Sequence, residues 1–441
     1  MRVILRMSSR FGGDLRGNVA VIFALAIIPV MTMIGAAVDY TRANQLKSKL
    51  QSAADAASVG SIAKNSTAFV AAGSMTSDGT IAGGAVDATN IFNGNVQGLT
   101  GVTINSVTPT VTKTGSTLTS VVGYSADIPT SFMGVIGKTS LTVNGTSTST
   151  ANIPQYIDFY VLLDNSPSMG VGATPTDVAT MVNNTSDKCA FACHDLNNSN
   201  NYYKLAKSLN VTTRIDVLRT ATQNLMATAQ STQTYSTQFR MAIYDFGASS
   251  DTQGLRSLFS LSSSLSSAQT AAGNIDLMTV NGQNDNNDQD TGFSTIMPAI
   301  DKAITTPGNG TSGSPLKYLF FVSDGVADEN NPSNCIKSTT SSGRCQSPID
   351  PTLCANMKNR GVKIAVLYTT YLQLPTNSWY MTWINPFNAG PWGPSPNSQI
   401  AQNMQSCASP GFYFEVSPTQ GISDAMNTLF AKAVMDARIS R

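Results

Sequence analysis

The sequence has little histidine and little charge. His194 is the one histidine in 441 residues, so a site with several histidine ligands is excluded, and Ser-His-Asp or Cys-His catalysis would depend on that residue. Charged residues make up 12% of the chain, and the net charge is +1. Because no basic run is present, nucleic acid is not an expected partner. These absences argue against an enzyme and against a nucleic-acid-binding protein.

Cysteine is absent from the N-terminal part of the chain. The six cysteines are Cys189, Cys193, Cys335, Cys345, Cys354 and Cys407. In an oxidising compartment an even set of this kind forms disulfides, whereas in the cytosol it would indicate metal or redox chemistry. We favour the two local pairs, Cys189–Cys193 and Cys335–Cys345, which leaves Cys354–Cys407.

The first two cysteines form a C-x3-C-H run that ends at His194. This run is one residue too long for the haem-attachment pattern. It also supplies too few ligands for zinc. We therefore expect a small loop closed by a disulfide.

A long uncharged run, VAVIFALAIIPVMTMIGAAV, extends from Val19 to Val38. At about 1.5 Å per residue, a helix of this length spans about 30 Å, which is enough to cross a bilayer core. Arginines precede the run and Asp39 follows it, so the positive-inside rule favours a cytoplasmic N-terminus, residues 1–18, and an external location for the rest. We predict a retained transmembrane helix. A cleaved signal peptide and a buried soluble helix are the alternatives.

The next two segments differ in their patterns. Residues 39–75 place apolar side chains at helical spacing, which predicts a helical stalk or, equally well, an amphipathic helix on a small domain. Residues 76–152 are predicted to form a small β-rich region, because β-branched and polar residues alternate after Gly101. The Ser- and Thr-rich end of this region, residues 146–152, is predicted to be a linker.

From residue 156 to residue 437, apolar runs typical of strands alternate with helical patterns. The runs that begin at Ile157 and Tyr318 are almost continuously apolar, as in strands that are buried on both faces. Such alternation predicts an α/β fold with a doubly wound, mainly parallel, Rossmann-like sheet. Polar inserts interrupt the pattern near residues 171–210, 328–348 and 371–398.

Two of the predicted strands lead into oxygen-bearing side chains. Asp164, Ser166 and Ser168 form a D-x-S-x-S sequence after the first strand, and Asp324 lies in an S-D-G sequence after a later one. Ligands of such sheets bind beyond the carboxyl ends of the strands, so these side chains are expected to meet. Hard divalent cations prefer oxygen ligands, and incomplete ligation leaves room for a partner's oxygen. The simpler alternative is that Asp164 and Ser166 only cap the following helix.

These motifs resemble the metal-ion-dependent adhesion site of the von Willebrand A (vWA) family, which combines D-x-S-x-S with a threonine and a later aspartate. The resemblance implies that Asp164, Ser166, Ser168 and Asp324 bind a divalent cation. Mg²⁺ is the expected ion, with Mn²⁺ and Ca²⁺ as alternatives.

The threonine position is where this sequence departs from the family. The family context G-x-T-x-x-x-x-A-[LI] aligns with residues 292–300, so Ser294 takes the place of the threonine. A serine also carries a hydroxyl oxygen, and Thr291 and Thr295 are close in sequence. The resemblance therefore implies Ser294 as the fifth ligand, with either threonine as an alternative.

The N-terminal sequence narrows the resemblance. Residues 16–25, 35–40 and 51–57 resemble the N-terminal region of TadE/TadG-type pilus-assembly proteins, and the chain resembles the TadG kind over nearly its full length. This implies a role in assembly or anchoring of tight-adherence (Flp) pili, a location in a bacterial inner membrane, and partners among pilus or secretion components. Lipid would be contacted through residues 19–38. Pilin-like cleavage is not expected, because Ile22 rather than Glu lies five residues after Gly17.

Two further features favour structural explanations. The acidic run of residues 284–290 lacks the glycine of an EF-hand loop and is interpreted as a solvated loop. The aromatic residues of the last insert, Trp379, Tyr380, Trp383 and Trp392, are expected to pack on the core in part, or to form a contact surface.

The sequence thus predicts a non-enzymatic envelope protein that binds a partner's carboxylate through a cation in the periplasm or at the cell surface. The alternative is a surface adhesin or receptor of the vWA type. An enzyme that uses the cation to activate water is disfavoured, because no general base is recognisable near Asp164.

Overall fold

The computed structural model describes residues 18–192, 194–195, 197–282, 289–330, 343–371, 373–388, 397–417 and 421–439. The chain divides after Ile153 into two compact units. Helices and both parallel and antiparallel strands are present, so the predicted mixed α/β class with an N-terminal apolar helix is confirmed.

The first unit begins with one long helix, α1, Asn18–Gly60, which continues through Pro29. The uncharged run and the helical pattern after it therefore form a single helix. Its apolar stretch has a mean hydropathy of 2.5 and is long enough to cross a membrane. A short helix, α2, Thr67–Ser74, follows, and the hydroxyl of Ser66 caps it by accepting the Phe69 N–H at 3.1 Å.

A four-stranded antiparallel sheet, in the order β1-β2-β3-β4, completes this unit. The strands are β1, Gly79–Thr80; β2, Thr103–Thr114; β3, Thr117–Pro129; and β4, Ser140–Asn152. The predicted β-rich region is thus a small antiparallel sheet. A helix that the sequence pattern did not indicate, α3, Ala82–Val96, lies between β1 and β2 and buries Phe92.

The predicted linker at residues 146–152 is wrong, because this stretch is the second half of β4. It pairs with β3 as far as Asn152, which lies opposite Thr117. Its serines are satisfied by α1, where the Ser58 hydroxyl lies 3.0 Å from that of Ser147 and 2.8 Å from that of Ser149. A Ser- and Thr-rich sequence can thus form a strand when a neighbouring helix supplies hydroxyl partners.

The second unit contains a six-stranded sheet in the order β14-β13-β10-β5-β7-β8. All neighbours are parallel except β7 and β8, which are antiparallel. The strands of this sheet are β5, Ile157–Leu163; β7, Phe239–Asp245; β8, Arg256–Ser262; β10, Leu316–Ser323; β13, Lys363–Thr369; and β14, Tyr413–Val416. Two short pairs lie outside it: β6, His194–Asp195, with β9, Thr279–Val280, and β11, Val326–Asn330, with β12, Arg344–Pro348.

Helices cover both faces of this sheet. The helices are α4, Pro175–Asn184; α5, Tyr202–Ser208; α6, Arg214–Thr232; α7, Leu265–Ala272; α8, Phe293–Ala303; α9, Thr352–Asn359; α10, Asn385–Asn388; α11, Gln399–Cys407; and α12, Ile422–Ile439. Alternate side chains of β5 enter two separate cores, one formed with α6 and α12 and the other with α8, α9 and α11. Because both faces are covered, every residue of β5 is buried, which explains why all of its residues except Asp158 are apolar.

The polar inserts contain structure of their own. The first carries α4 and α5, the second carries most of the antiparallel pair β11–β12, and the third carries a π-helical turn, Tyr380–Ile384, followed by α10. The predicted disulfide between Cys354 and Cys407 is present, and it joins α9 to α11. Cys345 is disulfide-bonded too. Cys193 and Cys335 lie outside the described residues.

Candidate metal centre

The candidate site lies at the point where the chain changes direction along the sheet. From β5 the chain proceeds to β7 on one side and later returns to β10 on the other. The carboxyl ends of β5 and β10 are therefore adjacent, with a crevice between the loops that follow them. Asp164 directly follows β5 and Asp324 directly follows β10.

Asp164 is fully buried and organises the loop after β5. Its Oδ1 atom accepts the N–H of Ser166 at 3.0 Å and the hydroxyl of Ser166 at 2.6 Å. The Ser166 hydroxyl lies 2.9 Å from that of Ser168. The D-x-S-x-S residues thus form one connected group of oxygens.

Asn165 fixes this loop to the neighbouring parts of the unit. Its side-chain amide donates to the carbonyl oxygens of Gly247 at 2.8 Å and Asp276 at 3.2 Å, and its side-chain oxygen accepts the N–H of Phe246 at 3.1 Å. The Asn165 side chain is fully buried. The side chain of Asn165 therefore points away from the oxygens of Asp164 and Ser166. Its hydrogen bonds hold in place the loop that carries the candidate ligands.

The loop after β10 joins the same group. The Ser323 hydroxyl donates to Oδ2 of Asp164 at 2.6 Å and accepts the Gly325 N–H at 2.9 Å. Gly325 has a φ of +76°, and a Cβ atom there would lie 2.7 Å from Cγ of Met404. The glycine of the S-D-G sequence is thus required by the backbone turn and by close packing.

The pKa values of both carboxyl groups are raised. Asp324 is 1% exposed, and burial, followed by the charge of Asp164, raises its pKa to about 7. Burial raises the pKa of Asp164 as well, although bonds from Ser166 and Ser323 oppose the shift. Two buried carboxyl groups of like charge favour either a proton or a cation between them. Within the described part of the chain, Oδ2 of Asp324 has no hydrogen-bond partner.

A buried arginine that the sequence analysis did not identify faces these carboxylates. Nη1 of Arg214, at the start of α6, lies 3.9 Å from Oδ2 of Asp324. Its Nη2 atom donates to the carbonyl oxygen of Thr370 at 2.8 Å. Its charge lowers the pKa of Asp324, which opposes the effect of burial. The sequence signal for this arginine was its position as the first residue of the helix that follows the first insert.

The residue types fit a hard divalent cation. The group combines two carboxylates with the hydroxyls of Ser166 and Ser168, and hard cations take oxygen ligands of these kinds. It does not contain three acidic, cysteine or histidine ligands, and no cluster of that kind occurs among the described residues. A bound cation would supply positive charge to Asp324 and an open coordination position for an outside oxygen.

A cavity of about 470 Å³ opens at this group of residues. Ser168 and Asp324 line it on one side, and Arg344, Tyr371 and Trp379 line it on another. Arg344 is paired with Asp328, to which its Nε donates at 2.8 Å, and its guanidinium lies 5.3 Å from the ring centre of Trp379. The second and third inserts thus form part of the wall next to the candidate ligands.

Ser294, the predicted fifth ligand, is engaged elsewhere. Its N–H donates to Oε1 of Glu329 at 3.0 Å, and its hydroxyl donates to Oε2 of the same carboxylate. Ser294 lies in the first turn of α8, where N–H groups have no partner within the helix, and a carboxylate is favoured there. The Thr295 hydroxyl donates to the carbonyl oxygen of Gly292 at 3.0 Å.

Thr291 is the threonine that reaches the cavity. It lines the same cavity as Ser168 and Asp324, and its hydroxyl donates to Oδ1 of Asp290 at 2.9 Å. Its main chain is fixed by two hydrogen bonds with Asp328, at 3.2 and 3.0 Å. The structure thus brings four of the five predicted residues together and puts Thr291, rather than Ser294, on the wall beside them.

The capping alternative accounts for part of this geometry. Ser166 is the N-cap of a short 3-10 turn, Pro167–Gly170, but its side chain makes no capping hydrogen bond. Asp164 does accept the Ser166 N–H, as a local cap would. Capping does not account for the Ser323 bond to Asp164, nor for the second buried carboxylate.

The remaining sequence features are peripheral to this group. The ring centre of His194 lies 5.1 Å from that of Tyr203. Tyr380 is buried in the core, as expected for part of the aromatic insert, and Trp379 lines the cavity. Residues 283–288 and Trp392 lie outside the described residues.

Comparisons with known proteins support the N-terminal resemblance. Residues 17–61 match the family model described as putative Flp pilus-assembly TadE/G-like. This confirms the similarity of this segment to that family. No match was found among curated proteins.

Solved structures with a similar fold include pilus proteins. The vWF domain of the type V pili tip protein Mfa5 from Porphyromonas gingivalis is 9% identical, covers 65% of this chain and 97% of its own, and has a TM-score of 0.37. A mutant of the PilB minor pilin from Streptococcus sanguinis is 10% identical and has a TM-score of 0.33. The match covers 78% of this chain and 80% of the pilin chain. The manganese-loaded TRAP protein from Plasmodium vivax is 10% identical and has a TM-score of 0.31. The match covers 64% of this chain and 74% of the TRAP chain. These likenesses are distant.

Proposed function

We propose that this chain is a non-enzymatic protein of the bacterial envelope that acts in the assembly or anchoring of Flp-type pili. In this proposal α1 holds it in the inner membrane, and the second unit, a vWA-type domain, lies outside the cytoplasm. The match of residues 17–61 to the pilus-assembly family supports the process. The apolar helix within the matched segment supports the anchor.

The proposed binding site is a divalent cation held by Asp164, Ser166, Ser168 and Asp324, with the hydroxyl of Thr291 as the fifth candidate. The observation that carries this proposal is the pair of buried carboxylates at the ends of β5 and β10, with Oδ2 of Asp324 lacking a hydrogen-bond partner in the described part of the chain. Mg²⁺ is the expected ion, since the candidate ligands are all oxygens.

The proposed partner group is a carboxylate on another protein, such as a pilus or secretion component. The cavity beside Ser168 and Asp324 gives an outside oxygen access to the cation. Its wall carries Trp379 and Arg344, side chains of types that are common at protein interfaces. A carboxylate of the partner would complete the coordination of the ion. The partner residues next to that carboxylate would then pack against this wall.

Cation binding is tested by thermal unfolding of the full-length protein in detergent with increasing Mg²⁺ or Mn²⁺. A ligand that binds only the folded state raises the midpoint progressively with concentration. Asp164→Asn and Asp324→Asn should abolish this shift. Without metal, Asp324→Asn should unfold more easily than wild type, because it leaves the buried guanidinium of Arg214 without its charge partner. The diagnostic quantity is therefore the metal-dependent shift and not the midpoint itself.

Asp158→Asn is the matched control. Asp158 is a buried aspartate in the same strand β5, at the opposite end, where it pairs with Arg240 at 2.6 Å and with Lys317. This variant should lower stability and keep the full metal-dependent shift. An unchanged midpoint at millimolar ion in wild type, or an undiminished shift in Asp164→Asn, would exclude the proposed centre.

The cellular role is tested by replacing the chromosomal gene with Asp164→Asn and counting surface pili. Assembly or anchoring predicts fewer or detached pili at a normal level of the protein. Normal pili with reduced attachment of the cells would instead favour a surface adhesin. Normal pili after complete disruption of the gene would refute the assembly role.

A further inference from the structure

The loop between β3 and β4 exposes a small apolar surface. It contains a 3-10 turn, Met133–Ile136, and is flanked by Phe132 and Lys138. Val135 is 86% exposed, Ile136 is 60% exposed and Phe132 is 51% exposed. Adjacent apolar side chains at a loop tip are unusual on a surface that faces only water, and they indicate contact with a partner or a membrane.

This apolar loop is fixed to the helix α1. Oδ1 of Asp39 accepts the N–H of Ser131 at 2.9 Å, and Oδ2 accepts the N–H groups of Phe132 and Met133, each at 2.8 Å. Asp39 is 3% exposed, because the loop covers it. A carboxylate that accepts three main-chain bonds holds the loop in one orientation.

A glycine one helical turn earlier provides the second attachment. Gly35 lies on the same face of α1 as Asp39, four residues before it. A Cβ atom at Gly35 would lie 2.4 Å from Cβ of Phe132, so only glycine allows this close approach. The Phe132 side chain therefore packs directly on the main chain of α1.

The attachment lies at the end of the predicted membrane span. Gly35 is inside the uncharged run Val19–Val38. It lies about 4.5 Å along the helix axis from Val38, the last residue of that run. Apolar groups of interfacial segments enter a bilayer by about 5–10 Å. A loop attached at Gly35 and Asp39 is therefore at the depth where headgroups meet acyl chains.

We propose that the β3–β4 loop inserts Phe132, Val135 and Ile136 into the outer leaflet of the membrane that α1 crosses. The inference rests on the proposed anchor, and it adds a second membrane contact made by the folded part of the first unit. Lipid is the favoured occupant because Phe132 meets α1 at Gly35, in the part of the helix that also exposes apolar residues, including Ile34 at 56% and Val38 at 51%. Lys138, exposed at the end of the loop, is placed to meet lipid phosphates.

Two contacts would fix the orientation of the first unit, since a single helix can rotate and tilt in a bilayer. The loop approaches the helix from one side only. Insertion of its tip would therefore define which side of the β2–β3–β4 sheet faces the lipid. This is a positioning role for the loop and requires no further protein.

The test uses the full-length protein in vesicles of phosphatidylcholine and phosphatidylglycerol, with or without bromine on the acyl chains. Val135→Trp adds a fluorophore at the loop tip, Phe23→Trp adds one in the helix, and Asn93→Trp adds one at an exposed polar position of α3. Difference spectra against wild type isolate the added emission. Brominated lipid should quench Trp at 135 and at 23, and should leave Trp at 93 unquenched.

The outcomes separate the loop from the anchor. Quenching at 23 without quenching at 135 overturns the loop insertion and leaves the anchor intact. Absence of quenching at both positions overturns the anchor as well. Blue-shifted but unquenched emission at 135 means that protein covers the loop, which also overturns insertion into lipid.

A second variant tests the attachment. Gly35→Ala should displace Phe132 and reduce quenching at 135, while quenching at 23 stays the same. Gly94→Ala is the matched control, because a Cβ atom there meets no other atom within 4 Å. Equal quenching at 135 in both variants would show that Gly35 does not position the loop.

Discussion

Nη1 of Arg214 and Oδ2 of Asp324 lie 3.9 Å apart, and both side chains are 1% exposed. The distance is too long for a hydrogen bond, so the guanidinium supplies charge without satisfying the carboxylate oxygen. The same arginine is held by Thr370, which fixes it beside the ends of β5 and β10. A positive charge therefore already faces the proposed cation site.

Arg214→Gln should separate stability from metal binding. Without metal the variant should unfold at a lower temperature, because removing one partner of a buried charge pair costs about 3–5 kcal/mol. The stabilising shift on addition of Mg²⁺ should become larger than in wild type, since the cation no longer competes with the guanidinium charge. Thermal unfolding of the full-length protein with and without Mg²⁺ measures both effects. A smaller Mg²⁺-dependent rise of the unfolding midpoint in the variant would contradict this prediction. It would mean that Arg214 holds the metal ligands in place.

The two hydroxyl candidates should behave differently. Thr291→Val keeps the side-chain shape and removes the hydroxyl beside Ser168 and Asp324, so it should reduce the Mg²⁺-dependent shift. Ser294→Ala should leave that shift unchanged and should cost about 1–3 kcal/mol, because buried Glu329 loses the hydrogen bond from the Ser294 hydroxyl. The reverse result would return Ser294 to the fifth ligand position.

Asp216 should give the second unit a measurable acid dependence. Burial would raise the pKa of its carboxyl group, but bonds from the hydroxyl and N–H of Thr213 and from Arg219 outweigh it, so the pKa lies below its ordinary value. The ionised form is thus favoured by folding. Its contribution is present above the unfolded pKa of about 3.9 and is lost as the pH falls through the folded value.

Asp216→Asn should therefore lower the free energy of unfolding by about 1 kcal/mol at pH 7, through the weakened cap of α6 and the lost ion pair. The difference from wild type should shrink as the pH falls below about 4. Urea unfolding followed by tryptophan fluorescence at several pH values measures this. A difference that stays constant from pH 7 to pH 2 would mean that the carboxylate charge contributes nothing.

The disulfide between Cys354 and Cys407 should stabilise the second unit. It joins α9 to α11 and closes a sequence separation of 53 residues, and both cysteines are fully buried. A loop of that length predicts a stabilisation of about 4 kcal/mol by restriction of the unfolded chain. The double variant Cys354→Ala/Cys407→Ala should show a correspondingly lower urea midpoint. A midpoint equal to that of wild type would show that helix packing alone determines stability here.

Several features followed from the sequence because they depend on local pattern. The span of β5, Ile157–Leu163, was predicted because a strand covered on both faces needs an apolar side chain at nearly every position. The uncharged run Val19–Val38 was predicted as a helix of membrane length for a similar reason. The order of the motifs then predicted that Asp164 and Asp324 would meet, since adjacent parallel strands end at the same edge of a sheet.

Other features were decided only by the tertiary structure. Ser294 and Thr291 are three residues apart, and which hydroxyl faces the cavity depends on where α8 begins and on Glu329, which satisfies its first turn. The serines of β4 form a strand because Ser58 of α1 provides partners for them, although their local sequence predicted a linker.

The sequence by itself thus determined the class of fold, the apolar helix and four of the candidate ligands. Those features depend on the periodicity and spacing of residues that are close along the chain. The tertiary structure decided the position of Arg214 against Asp324 and the seating of Phe132 on Gly35. Both are contacts between residues far apart along the chain, and packing of whole elements, rather than any local pattern, brings such residues together.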